Sequence, residues 1–275
     1  MLRCGRFVLS LDRPLIMGIV NVTPDSFSDG GRFFDGVRAV EHGLALVAEG
    51  ADLLDIGGES TRPGAAPVSE AEELDRVLPV LEGLAHAGVP LSVDTQKPAV
   101  MRAALAAGAD MINDVNALLA PGALEAVAAS NAAVCLMHKQ GEPRTMQINP
   151  SYDDVVGEVR AFLAARIAAA RAAGIAPDRI VIDPGFGFGK NLQHNLELLR
   201  HLGDLASLGV TVLAGLSRKS MLGSITGAPV EARVHASVAA ALLAALKGAR
   251  ILRVHDVRPT REALAVAAAV EGWGA

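Results

Sequence analysis

Polar side chains that can bind a small molecule stand at the ends of short apolar segments along this chain. Asp94 and Asp183 offer carboxylate acceptors, and Asn113 offers an amide. A buried carboxylate needs a hydrogen-bonding partner from the protein or from a ligand. A flat heterocycle with a guanidine-like NH edge supplies such a partner as a bidentate pair. These three residues therefore predict a pocket for such a heterocycle.

A second set of polar residues favours an anion. Its members are cationic or become so on protonation: Arg62, Lys190, Lys219, Arg253 and His255. A helix predicted to begin near residues 256–260 adds N-terminal amide groups, which attract phosphate groups. The set therefore predicts a phosphate or pyrophosphate site. Asn21, together with water and phosphate oxygens, is compatible with a weakly held Mg²⁺ ion there.

Each of these residues on its own also has an ordinary structural explanation. Asp or Asn at a strand end often caps a turn, and a single histidine such as His138 is more often hydrogen-bonded in the core than a ligand. The glycines of residues 185–189 usually reflect backbone dihedral angles. The chain has no HExxH, Walker A or GxSxG motif. The predicted site therefore rests on the number of polar strand ends and not on one residue.

The elements that would bring these residues together alternate regularly. Eight short apolar segments are each followed by a helical stretch rich in Ala, Leu, Glu and Arg. The predicted strands are residues 15–22, 52–56, 90–93, 110–115, 132–137, 180–182, 211–216 and 251–254. Strands of this kind, joined by helices, are parallel and buried on both faces.

The count of eight strand–helix pairs and their even spacing favour a closed (β/α)₈ TIM barrel, an α/β fold, over an open doubly wound sheet. We predict one barrel domain over residues 1–275, because no linker-like segment interrupts the chain. Residues 6–14 predict a short N-terminal hairpin or lid. Loops that follow the strands of a barrel build its active site, so the polar strand ends are expected to share one face.

Composition excludes several classes of function. The chain carries a net charge of −5 and 3% aromatic residues, which argues against a nucleic-acid surface. Its two cysteines, Cys4 and Cys135, form no CxxC pair. Neither a disulfide scaffold nor a cysteine zinc site is therefore predicted, and a reducing cytoplasm is expected. The first six residues lack the apolar segment of a secretory signal, and no apolar run is long enough to span a membrane.

Several motifs together resemble the dihydropteroate synthase family. The first two signatures are MGIVNVTPDSFSDGG at residues 17–31 and DIGGESTRPG at residues 55–64. Shorter matches follow in family order: SVDT at 92–95, INDV at 112–115, LMH at 136–138, DPGFGFGK at 183–190, SRKS at 217–220 and RVHDV at 253–257. The resemblance runs from about residue 15 to residue 255, which is nearly the whole chain.

The resemblance implies a reaction of folate synthesis and the residues for it. The amine of p-aminobenzoate attacks the CH₂-pyrophosphate carbon of 6-hydroxymethyl-7,8-dihydropterin pyrophosphate, giving 7,8-dihydropteroate and pyrophosphate. The pterin pocket of that family falls on Asp94, Asn113, Asp183 and Lys219. Its Mg²⁺–pyrophosphate site falls on Asn21, Arg253 and His255, with Thr61 nearby. Its p-aminobenzoate contacts fall on Phe27, Arg62, Pro63, Phe188 and Ser217. The resemblance also implies a homodimer, and a target of sulfonamides.

The chemistry of these residues agrees with the implied reaction. Pyrophosphate leaves only when its growing charge is neutralised, which Mg²⁺, Arg253, His255 and a helix N-terminus would do. The pterin can help to expel it, and Asp94 and Asp183 would stabilise the positive charge at the exocyclic carbon. An aromatic amine is already neutral near neutral pH, so no strong base is needed. The expected catalytic residues are Asp94, Asp183, Lys219, Arg253 and His255.

Two other functions remain compatible with the sequence. A barrel that binds a reduced pterin for methyl transfer to a corrinoid would share the pterin acids, but it should not need Phe27, Arg62 and Lys219 together. A non-catalytic pterin-binding paralogue would usually have lost a signature residue, and none is lost here. One departure from the family is Arg258-Pro259 at the start of the last helix, which could move that start by a residue. His138 receives no catalytic role.

Overall fold

The computed structural model describes residues 1–22, 31–60, 67–141 and 145–274, with the backbone alone for residues 31–35. Its strands are β1 (Leu2–Cys4), β2 (Phe7–Leu9), β3 (Leu15–Asn21), β4 (Leu53–Gly57), β5 (Leu91–Asp94), β6 (Met111–Asp114), β7 (Ala133–Met137), β8 (Ile180–Asp183), β9 (Thr211–Ala214) and β10 (Ile251–Val254). Its α-helices are α1 (Gly31–Ala48), α2 (Glu70–Gly83), α3 (Pro98–Ala106), α4 (Ala123–Ala128), α5 (Val155–Ala172), α6 (Leu192–Arg200), α7 (Leu202–Ala206), α8 (Ser220–Thr226), α9 (Val234–Leu246) and α10 (Val257–Glu271).

Strands β3 to β10 form a closed parallel barrel in sequence order, in which β10 pairs with β3. This confirms the predicted (β/α)₈ TIM barrel and excludes the open sheet. A closed sheet brings the carboxyl ends of all eight strands to one rim. We call this rim the upper end of the barrel.

The inward-facing side chains of the barrel change from apolar to polar toward the upper end. The lower layers belong to a separate apolar cluster that includes Met17, Leu53, Met111 and Val181. Toward the upper end the register partners are polar: Asp55 lies opposite Ser92 on the neighbouring strand, and Asp94 lies opposite Asn113. Because side chains alternate along a strand, residues two apart share a face. The polar residues therefore continue the same inward rows as the apolar ones and form the floor of the site.

The N-terminal hairpin is confirmed, but it begins at Leu2 and covers the end of the barrel opposite the site. Strands β1 and β2 pair antiparallel, and Leu2 and Cys4 belong to the inner apolar cluster. Arg3 forms an ion pair with Asp178, which precedes β8. Of the two predicted forms, a hairpin or a lid over residues 6–14, the structure has the hairpin, which starts four residues earlier and closes the lower end of the barrel.

The helices between the last strands differ in part from what the sequence suggests. The Leu-rich stretch of residues 192–208 reads as one helix in the sequence, but it divides at His201 into α6 and α7. Helix α8 follows Lys219 and was not predicted, because its seven residues, SMLGSIT, carry no clear helical period. Helix α10 begins at Val257, within the predicted range, and Pro259 lies in its first turn, where a missing N–H breaks no hydrogen bond within the helix. No helix in the described ranges is long and apolar enough to cross a membrane.

Candidate active site

Arg253, on the last barrel strand, links two acidic strand ends across the floor of the site. Its Nε donates to Asp55 Oδ2 at 2.6 Å, and its Nη2 donates to Asp94 Oδ2 at 3.1 Å. Asn113 Nδ2 donates to the same Asp55 oxygen at 3.0 Å. Asp55 is fully buried, and its Oδ1 atom has no hydrogen-bond partner among the described residues. These four residues form a charged group at the floor of the site, and one buried acceptor of the group is left unpaired within the described residues.

Burial controls the ionisation of this group. It raises the pKa of Asp94 to about 8, with Arg253 opposing the shift and Asp55 adding to it. For Arg253, the neighbouring carboxylates Asp55 and Asp94 outweigh the opposing effect of burial, and the pKa rises above its ordinary value. The arginine therefore stays charged, whereas Asp94 changes its ionisation near neutral pH.

A third acidic residue, Asp183, lies at the end of β8. Its Oδ1 atom accepts the backbone N–H of Gly185 at 2.7 Å. Burial raises its pKa, and Lys219 opposes the shift. Lys219 donates to the carbonyl oxygen of Phe186, and its Nζ lies 4.5 Å from the ring centre of Phe188. Burial lowers the pKa of Lys219 to about 8, with Asp183 opposing the shift. The structure thus places Asp183 and Lys219, both expected in the pterin pocket, next to Phe188, which is expected to contact p-aminobenzoate.

Ser217 and His255 meet where the ends of β9 and β10 approach each other. The Ser217 hydroxyl accepts the backbone N–H of His255 at 3.2 Å and lies 2.9 Å from its Nδ1. The next residue, Arg218, has a φ of +57°. Its guanidinium forms two hydrogen bonds to Asp256, the residue just before α10, at 3.0 and 2.6 Å. The bidentate pair holds this strained turn beside the N-terminus of α10.

Asn21 ends β3, partly exposed, at the rim of the site. A Cβ atom at Gly57 would lie 3.8 Å from Asn21 Oδ1 and 4.0 Å from Asp94 Oδ2, so glycine leaves open space between the two side chains. In the described part of the chain, no three His, Cys, Asp or Glu side chains form a metal site by themselves. One amide oxygen fits a Mg²⁺ ion whose other ligands are water and phosphate oxygens.

Glu59 connects the two sides of a loop at the rim. Its Oε1 atom accepts the backbone N–H of Val68 at 2.8 Å, and its Oε2 atom lies 2.9 Å from Lys97 Nζ. Lys97 also bonds to the buried Glu73. Thr61, Arg62 and Pro63 fall between these two sides, and Phe27 falls in the preceding loop. All four lie outside the described residues, so their predicted contacts stay predictions.

Two expectations from the sequence need correction. Lys190 does not face an anion, because its side chain is 2% exposed and its Nζ contacts three backbone carbonyls and His138. Arg253 is not a cation separate from the pterin acids, since it pairs directly with Asp94. Asp55 received no role from the sequence although it is the fully buried partner of Arg253. The sequence does carry a sign of this role, because Asp55 is the one acid in the otherwise apolar strand LLDIG.

Comparison with known proteins identifies the family. The sequence model of the family described as "pterin binding enzyme" matches residues 17–255. The dihydropteroate synthase of Neisseria meningitidis serogroup C is 57% identical over 267 residues, covering 95% of this chain and 94% of that protein. The chain belongs to the dihydropteroate synthase family. Its members are transferases of folate synthesis, and this confirms the predicted enzyme class.

Solved structures of dihydropteroate synthases have the same fold and include ligand complexes. The Xanthomonas albilineans enzyme with 4-aminobenzoic acid is 60% identical with a TM-score of 0.93, covering 98% of this chain and 97% of that one. The Burkholderia cenocepacia enzyme complexed with 7,8-dihydropteroate is 53% identical with a TM-score of 0.90, covering 98% of this chain and 96% of that one. These matches extend over the barrel and over the strand ends that form the site.

Proposed function

We propose that this dihydropteroate synthase family member condenses 6-hydroxymethyl-7,8-dihydropterin pyrophosphate with p-aminobenzoate, releasing pyrophosphate. One observation carries the proposal. Arg253, suited to the leaving pyrophosphate, is in direct contact with Asp94, suited to the pterin. A substrate in which one CH₂ group joins pterin and pyrophosphate needs its two recognition sites to be adjacent in this way.

The pterin binds across the floor of the barrel. Asp94, Asn113 and Asp183 supply acceptors and an amide on β5, β6 and β8. The NH edge of the pterin supplies the donors that a buried carboxyl group needs. Lys219 lies beside Phe188 at the edge of this floor and donates to the pterin. Binding also excludes water, which strengthens each of these charged contacts.

The pyrophosphate binds toward Arg253 and His255, with Thr61 beside them. The N-terminus of α10 follows directly after His255 and Asp256, so its amide groups add positive potential. Asn21 would hold a Mg²⁺ ion with the phosphate oxygens, and the bound ion would add positive charge at the leaving group. As the C–O bond breaks, Arg253 and His255 stabilise the departing charge. Asp94 and Asp183 stabilise the positive charge that develops on the pterin side.

p-Aminobenzoate approaches from the rim. Phe188 lies on the turn after β8, and Ser217 lies three residues after β9. Phe27, Arg62 and Pro63 complete the place for the amine, with Arg62 as the counter-ion for the benzoate carboxylate. The neutral amine attacks the exocyclic carbon and then loses its proton to solvent, so no poised base is required.

We further propose that the enzyme is a cytoplasmic homodimer. The two cysteines in the chain, Cys4 and Cys135, are buried free thiols, which suits a reducing compartment. The outer surfaces of α9 and α10 expose large apolar side chains: Leu243, Leu246, Val266 and Val270. Such a surface suits a subunit interface. Sedimentation equilibrium should give twice the chain mass, and a monomer would contradict the dimer. Cell fractionation tests the compartment.

Pyrophosphate release in the presence and absence of p-aminobenzoate tests the proposed reaction. We expect release from the pterin pyrophosphate only when both p-aminobenzoate and Mg²⁺ are present, with dihydropteroate formed in equal amount. Methyl transfer from a reduced pterin to a corrinoid, with no pyrophosphate release, would support the methyltransferase alternative. Pterin binding without any reaction would support the non-catalytic one.

A further inference from the structure

Side chains bind every backbone carbonyl of the turn after β8, residues 185–190. Lys190 Nζ donates to the carbonyls of Gly185 and Phe188 at 3.0 Å each, and Lys219 donates to that of Phe186. The other three carbonyls also accept from side chains: that of Gly187 from Gln147, that of Gly189 from Tyr152 and that of Lys190 from Asn195. Six successive carbonyls satisfied by side chains fix the path of a turn that has no regular secondary structure.

Lys190 is the central member of this arrangement. Its Nζ lies 3.0 Å from His138 Nδ1 and 3.3 Å from the His138 carbonyl, in addition to its contacts with Gly185 and Phe188. It therefore joins the end of β7 to the turn after β8. Within the described residues, no carboxylate lies within ion-pair distance of Lys190. Its contacts serve the backbone and leave no donor for a substrate anion.

The number of acceptors around Lys190 and the neutral state of His138 fit this role. An ammonium group has three N–H donors, and three carbonyls and one imidazole nitrogen surround the ammonium of Lys190. Burial lowers the pKa of Lys190 to about 7, with Asp183 opposing the shift. Burial, and then Lys190, lower the pKa of His138 to about 3. His138 is therefore neutral, and its Nδ1 lone pair is available as an acceptor when the ring proton is on Nε2.

We propose that Lys190, with His138 as its acceptor, is a positioning residue that sets the place of Phe188 for p-aminobenzoate. The proposal rests on the proposed synthase function. Phe188 lies within the turn, and the backbone carbonyl of Phe188 accepts a hydrogen bond from Lys190 Nζ. Of the four pterin residues, all of which the structure describes, Asp94 and Asn113 lie on β5 and β6 and form no hydrogen bond to the turn. The other two, Asp183 and Lys219, bond to it at Gly185 and Phe186, so the turn carries only part of the pterin site. Loss of the ammonium should therefore disturb the binding of the amine substrate more than the binding of the pterin.

The chain offers a matched control in Arg179, which makes similar contacts at the other end of the same pair of strands. Arg179 is 7% exposed and donates to the carbonyls of Ala132 at 2.9 and 2.7 Å and of Val127 at 3.3 Å. It precedes β8, whereas Lys190 follows it. Lys190→Met and Arg179→Met both remove a buried cation from backbone carbonyls, but only the first does so beside Phe188.

Steady-state kinetics of the two variants test the proposal. We expect Lys190→Met to raise the KM for p-aminobenzoate about tenfold and the KM for the pterin pyrophosphate much less, because a small displacement of a positioning group weakens binding. Arg179→Met should lower the unfolding temperature with both KM values unchanged. Lys190→Gln keeps two N–H donors and should lie between the wild type and Lys190→Met; it replaces Lys190→Met if that variant does not fold.

The outcomes separate this proposal from the proposed function. A folded Lys190→Met or Lys190→Gln variant with a KM for p-aminobenzoate within about twofold of wild type would show that Lys190 only stabilises the fold. An equal rise in KM in Arg179→Met would show the same. A wild-type enzyme that releases no pyrophosphate would instead contradict the synthase function.

Discussion

The guanidinium of Arg253 touches the carboxylate of Asp94, with Nη2 at 3.1 Å from Oδ2. The contact joins β10 to β5 across the floor of the barrel, and Asp55 on β4 accepts a second bond from the same side chain. The cation that we propose for the leaving group is therefore also the counter-ion of the buried acids when no ligand is bound.

Arg253→Met should destabilise the ligand-free enzyme and abolish pyrophosphate release. It leaves Asp55, which is fully buried, with only Asn113 as a donor. Removal of one partner of a buried ion pair costs about 3–5 kcal/mol, and urea denaturation measures the loss. The double variant Arg253→Met/Asp55→Asn should recover part of the stability and none of the activity. A loss of less than about 1 kcal/mol in the single variant would contradict the coupling.

Asp94→Asn should slow the chemical step far more than it weakens pterin binding. The amide keeps the size and one acceptor of the side chain, but it no longer stabilises positive charge on the pterin. We expect the single-turnover rate to fall about 100-fold or more, with pterin affinity changed by only a few-fold. Rapid-quench measurements under enzyme excess separate the two quantities. A wild-type rate in this variant would remove Asp94 from the catalytic residues.

The stability of the ligand-free enzyme should depend on pH through the same residue. Burial raises the pKa of Asp94 to about 8, whereas an unfolded aspartate has a pKa of about 3.9. Between these values the folded chain binds more protons than the unfolded chain, so this contribution to stability is lost as the pH rises. In the Asp94→Asn variant, the side-chain amide at this position does not ionise. The unfolding free energy of this variant relative to wild type should therefore increase from about pH 5 to about pH 9. Parallel pH profiles would exclude the shift.

Gly185→Ala should cost more stability than Gly209→Ala, although both glycines have positive φ, +68° and +77°. A Cβ on Gly185 would overlap the carbonyl oxygen of His138, whereas one on Gly209 would meet open space. We expect Gly209→Ala to cost about 1 kcal/mol and Gly185→Ala to cost several times more, with loss of pterin binding. Thermal unfolding and pterin titration measure both. Equal costs would mean that the overlap relaxes without strain.

The barrel and most of its strand ends could be predicted from the sequence. Eight parallel strands that are buried on both faces appear there as eight short apolar segments at regular intervals. The contacts among the strand ends could not be predicted. Arg253 and Asp55 are 198 residues apart, and whether the arginine turns to an acid or to open space depends on side-chain packing. Lys190 shows the same limit, since its sequence position suits a free cation as well as a buried one. Helix α8 carries no periodic signal that could have revealed it.

The N-terminal hairpin, which closes the lower end of the barrel, also separates the chain's first residue from the site. Met1 is exposed and directly precedes the hairpin, at the end of the barrel opposite the upper rim. A fusion partner or a surface tether attached before Met1 would therefore leave the path of substrates into the barrel unobstructed, provided that Leu2 and Cys4 keep their places in the core.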